Sequence, residues 1–79
     1  MPDLDAERAH LVKADHDIAD GERRISAQLL LIERLQANGR ATSDAEQLLL
    51  TLQQTLKAWQ DHRDLILQEI ARLEDASLP

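Results

Sequence analysis

Hydrophobic residues fall along this chain at alternating steps of three and four. In the second half the series runs Leu49, Leu52, Leu56, Trp59, Arg63, Ile66, Ile70 and Leu73, with Arg63 the one charged member. That spacing is a heptad seam, and a helix carrying one buries the stripe only against another helix. In the first half Leu4, Leu11, Ile18, Ile25 and Ile32 recur every seven residues, and between them stand Glu7, Ala14, Gly21, Gln28 and Leu35. The first helix therefore has a strong half-seam and a weak one. The pattern predicts one helix from about 4 to 37 and a second from about 43 to 75, the first roughly 50 Å long at 1.5 Å per residue.

The punctuation between these stripes agrees. Asp3 can cap the first helix, with Asp5 and Glu7 in its first turn, where the helix dipole favours negative charge. Asn38-Gly39 suits the left-handed conformation that ends helices. Residues 38–42 form a short connection. Ser43 followed by Glu46 has the spacing of a capping box, and Thr42 is a competing cap one residue earlier. Ser77-Leu78-Pro79 reads as a tail, because Pro cannot extend a helix.

Two long helices joined by so short a connection fold back antiparallel. The expected fold is an all-α antiparallel two-helix hairpin, a coiled coil, forming a single domain over residues 1–79. With the turn centred near residue 41, Leu49 meets Ile32 and Leu35, Ile66 meets Ala14 and Ile18, and Trp59 meets Gly21 and Ile25. In that register the bulkiest side chain of the second helix lies on the barest residue of the first. It accounts for a mid-helix glycine that otherwise costs about 1 kcal/mol relative to Ala. Arg63 then falls within reach of Asp17, Asp20 or Glu22. A charge on a seam costs stability and fixes register.

One seam does not use every leucine. In the runs Leu29-Leu30-Leu31-Ile32, Leu48-Leu49-Leu50 and Leu65-Ile66-Leu67 only one or two members can face the partner helix. Leu30, Leu31, Leu50 and Leu65 are left to other faces, and monomers seldom expose large apolar patches. Pairing two hairpins into a four-helix bundle buries them. Size points the same way. A core in 79 residues rarely supplies more than about 3–5 kcal/mol without a staple, and the absence of Cys removes the disulfide. A homo-oligomer, most simply a dimer, is the expectation.

Composition narrows the classes further. The chain has one Trp, no Phe and no Tyr, and a formal charge of −6. It lacks the basic footprint of a nucleic-acid binder and the positive charge that docks on anionic lipid. No apolar run approaches the ~20 residues of a membrane span, and the acidic start is unlike a signal peptide. The expected setting is the cytoplasm.

Candidate chemistry is thin. His10, His16 and His62 titrate near neutral pH when unperturbed. His16, Asp20 and His62, with Asp15, Asp17 and Asp61 nearby, could be read as an incipient metal site. Bundle metal sites, however, present Glu-x-x-His pairs into the core, and none occurs here. No metal or cofactor is expected. Nucleophilic catalysis has no Cys to use, and Ser43 is explained as a cap. His62-Arg63-Asp64 matches the start of a kinase catalytic loop, but the rest of that signature is missing and could not fit in this length. A two-helix hairpin supplies no concave cleft for acid–base work. The chain is therefore read as non-enzymatic.

Three segments carry a resemblance. They are His10-Leu11 through Gly21-Glu22-Arg23-Arg24-Ile25, then Gly39 through Leu52, then His62-Arg63-Asp64 with Ile66-Leu67. Together they make most of the chain similar to a group of short helical-hairpin proteins of unknown function common in soil-dwelling alphaproteobacteria. The resemblance implies a bacterial cytoplasmic setting and no particular activity. The expectation is a self-associating coiled-coil interaction or structural module. Its alternatives are a regulatory adaptor that binds another protein through the spare leucines, and a His/Asp metal- or pH-responsive bundle.

Overall fold

The computed structural model describes residues 3–76. They form two helices, α1 (Leu4–Ala37) and α2 (Ser43–Ala76), packed against each other as an antiparallel hairpin. The Cα trace measures 65 × 16 × 14 Å. Every described residue outside the two helices belongs to a cap or the turn.

The Asp3 carboxylate accepts the Ala6 N–H at 2.7 Å, and the Asp3 carbonyl accepts the Glu7 N–H at 3.0 Å. The other end of α1 closes with a pair of reversed bonds. The Arg40 N–H donates to the Leu35 carbonyl at 2.8 Å and the Gly39 N–H to the Gln36 carbonyl at 3.0 Å. This is the Schellman arrangement, and it needs a left-handed residue at Gly39, whose φ is +65°. Asn38 adds its side-chain amide, which donates to the Arg34 carbonyl at 2.9 Å. At the start of α2 the Glu46 N–H donates to the Thr42 carbonyl at 2.9 Å. Thr42, not Ser43, therefore stands at the cap position, and Ser43 is the first helical residue. The tail Ser77-Leu78-Pro79 lies outside the described residues.

The heptads face inward as their spacing requires. Leu4, Glu7, Leu11, Ala14 and so on to Leu35 are each buried or half-buried, as are their counterparts from Ala45 to Leu73. The core is nevertheless thin. Among the described residues only Ala14, Ile32 and Ile66 are buried hydrophobics, and no large side chain is wholly hidden.

The register differs from the one the loop length suggests. A Cβ built on Gly21 would meet Leu56, with Cδ1 at 3.4 Å and Cβ at 4.0 Å, and no atom of Trp59 comes as near. The midpoint of that pair lies between Asn38 and Gly39, so the chain reverses at the Schellman turn and not near residue 41. Carried along the seam, this register sets Ile18 level with Trp59, Ala14 level with Arg63, and Ile32 level with Ala45. Ala14, Gly21 and Ala45 thus each oppose a larger side chain, while Ile18 opposes Trp59. Gln28 fixes the turn end: buried in the seam, it donates from Nε2 to the Ala45 carbonyl at 2.8 Å.

Candidate interaction surface

The seam of an antiparallel hairpin has two flanks. On each, positions just outside the core alternate with positions further out. The two flanks of this molecule differ in shape and in charge.

One flank carries the ion pairs that cross between helices. Arg63 Nε donates to Asp15 Oδ1 at 2.6 Å, and Arg8 reaches Glu74 at 3.5 Å. Arg63 was expected to pair with Asp17, Asp20 or Glu22. The shift in register brings Asp15 to it instead, one residue beyond Ala14, which is level with it. Both partners remain substantially exposed, so the pair orients the helices more than it stabilises them. This flank is acidic: Asp15, Glu22, Glu33, Glu46, Asp64 and Glu74 outnumber Arg8, Lys57 and the seam residue Arg63 that reaches it.

The other flank is balanced and notched. Lys13 pairs with Asp17 at 2.8 Å and Arg24 with Asp20 at 3.1 Å, both within α1. Because the inward positions of α1 are Ala14 and Gly21, two recesses open here. One of about 230 Å³ lies among Asp17, Gly21, Arg24, Thr55, Leu56 and Trp59. The other, of about 130 Å³, lies among His10, Lys13, Ala14, Trp59 and His62. Trp59 and Gly21 thus share a recess without stacking. The indole is half-buried, with the Lys13 ammonium 5.6 Å from its ring centre and His62 edge-on at 6.2 Å and 68°.

The spare leucines are exposed, as their positions require. Leu30, Leu31 and Leu50 show between 44% and 50% of their surface and Leu65 shows 61%; Val12, Leu29, Leu48 and Leu67 join them. A shallow hollow of about 610 Å³ lies over Leu29, Leu30, Ile32 and Gln36.

His10 and His62 line the smaller recess, and His16 is not among its lining residues. His10 Nδ1 lies 3.5 Å from the carboxylate of Glu7, His62 lies against Trp59, and His16 is exposed. Among the described residues no group of three or more His or acidic side chains is placed to hold a metal ion. Exposed i,i+3 and i,i+4 pairs perturb titration on α2. Hydrogen bonding to Asp61 raises the pKa of Lys57. The Arg72 guanidinium beside Glu69 lowers that carboxyl, and Glu69 raises Arg72 in turn. Among the described residues no helix is long and apolar enough to cross a membrane.

Sequence reasoning missed two features of this surface. The Gln28–Ala45 bond could not be read from spacing. The uncharged outer stripe of α2 could have been: Leu48, Thr51, Thr55, Ala58, His62 and Leu65 repeat the steps of three and four, one position round from the seam.

No family model matches the chain, and no curated protein or solved structure shows significant similarity to it.

Proposed function

We propose that this protein is a non-enzymatic coiled-coil interaction module that self-associates, two hairpins pairing as a four-helix bundle. The observation that carries the reading is the large surface this hairpin leaves exposed, with apolar side chains among it. The hairpin exposes 5953 Å². A compact monomer of 8.9 kDa exposes about 4,800 Å². The excess of roughly 1,100 Å² is larger than the ~800 Å² each partner contributes to a standard interface. Among the described residues it includes eight large hydrophobic side chains more than a third exposed, above a seam with no wholly hidden large side chain. A second copy supplies the layer that this core lacks.

The same surface supports a second reading, a regulatory adaptor. The hollow over Leu29, Leu30 and Ile32 is the kind of site in which an apolar helix of another protein lodges. Under either reading the setting we propose is the bacterial cytoplasm. Sedimentation equilibrium of the purified chain separates the two. A mass near twice 8.9 kDa at micromolar concentration supports self-association. A monomer at all accessible concentrations rejects it and leaves the adaptor.

A further inference from the structure

We infer that the second copy docks on the balanced flank, antiparallel, about a two-fold axis that crosses α2 between Thr55 and Ala58. The inference rests on the self-association reading above and names the face and the orientation.

Charge chooses the flank. Two acidic flanks brought together would repel, with Asp15, Glu22 and Asp64 of each copy crowded against one another. On the other flank Lys13, Arg24, Arg34 and Arg72 offset Asp17, Asp20, Asp44 and Glu69. Its α2 edge, from Leu48 to Leu65, has no formal charge at neutral pH.

Symmetry of sequence then fixes the orientation. The outer stripe of α2 is complementary to itself when reversed. Leu48 faces Leu65 of the other copy, Thr51 faces His62, and Thr55 faces Ala58. Every one of these side chains is exposed in the hairpin, Leu48 by 49% and Leu65 by 61%. The threonine hydroxyls turn back on their own helix. Thr51 Oγ1 donates to the Gln47 carbonyl at 3.3 Å and Thr55 Oγ1 to the Thr51 carbonyl at 3.0 Å, which leaves methyl groups outward. Small residues at the centre let the two α2 backbones approach closely, and a leucine closes each end.

The first helix gives an independent check. The centre of the α2 stripe lies beside Leu56, level with Gly21 in the seam. About that same level on α1, Asp17 and Arg24 are equally spaced. A two-fold axis there sets Asp17 of one copy against Arg24 of the other, twice. It also sets Asp20 near its own image, a liability that Arg24 at 3.1 Å and Arg23 at 3.5 Å neutralise. The axis crosses the surface at the recess beside Gly21. Val12, Leu29, Leu50 and Leu67 stay outside this interface, on the acidic flank, and Leu30 stays outside it beside Leu29.

The test compares the two flanks in the full chain by sedimentation, with circular dichroism to follow helicity. Leu48→Lys and Leu65→Lys should each raise the dimer dissociation constant roughly thirtyfold or more, the scale of an interface hot spot. Leu50→Lys and Leu67→Lys should change it less than about threefold. Asp17→Arg should weaken the dimer about tenfold, and adding Arg24→Asp should restore it. This charge swap keeps the inference testable if the Leu48 or Leu65 variant loses helicity. A dimer indifferent to Leu48, Leu65 and the charge swap but broken by Leu50 or Leu67 changes overturns the face and keeps self-association. A wild-type monomer overturns both.

Discussion

Gly21→Ala should stabilise this protein, and the sign of the effect tests the packing register. Gly in a helix interior is about 1 kcal/mol worse than Ala. The new methyl would meet Leu56 Cδ1 at 3.4 Å and Leu56 Cβ at 4.0 Å, with nothing else inside 4 Å beyond its own helix. The nearer atom is the free end of a flexible side chain and can yield by a few tenths of an ångström. The added contact contributes a fraction of the ~0.8 kcal/mol that burying a CH₂ supplies, and adjustment of Leu56 takes a similar fraction back. The net is about 1 kcal/mol of stabilisation, or a rise in Tm of about 4–8 °C for a chain this short. Thermal unfolding followed by far-UV circular dichroism, at matched protein concentration, reads it directly. Gly21→Leu is the control: overpacking at the same point should cost about 1–3 kcal/mol. A drop in Tm for Gly21→Ala would show that the indole of Trp59, and not Leu56, lies over the glycine, and the register would be wrong.

Two further outcomes follow from the caps and the crossing ion pair. Gly39→Ala should cost about 1–2 kcal/mol in urea unfolding, because φ of +65° strains any L side chain although space is open around it; an unchanged midpoint would remove the Schellman turn from the description. A double-mutant cycle on Arg63→Ala and Asp15→Ala should give a coupling of about 0.2–1 kcal/mol that shrinks in high salt, since both side chains are well hydrated; zero coupling at low salt would put Arg63 elsewhere.

The hairpin was legible because two periodicities and one turn signal agree. Leu4 to Leu35 and Leu49 to Leu73 could each be placed on a face by counting, and Asn38-Gly39 marks where the chain reverses. Register was harder. A heptad is compatible with several alignments a few residues apart, and the length of the connection does not choose among them. The choice lies in how the backbone bonds of Gly39 and Arg40 fold the turn back onto Gln36 and Leu35. The shift carried Trp59 off Gly21, and it gave Arg63 Asp15 in place of Asp17, Asp20 or Glu22. The exposed leucines were legible as residues left over by the seam. What they meet was not, because the pattern that selects a partner face is the sum of charges on two helices brought together by folding.

The most direct measurement uses the absence of cysteine. A single spin label attached through Ala71→Cys, an exposed site on the acidic flank, reports the distance between copies by dipolar spectroscopy. The antiparallel pairing predicts about 45–50 Å, from the helical rise between the two labels and the width of the bundle. A distance of about 20–25 Å, the bundle width alone, would mean parallel hairpins, and no dipolar coupling would mean that the hairpin stands alone.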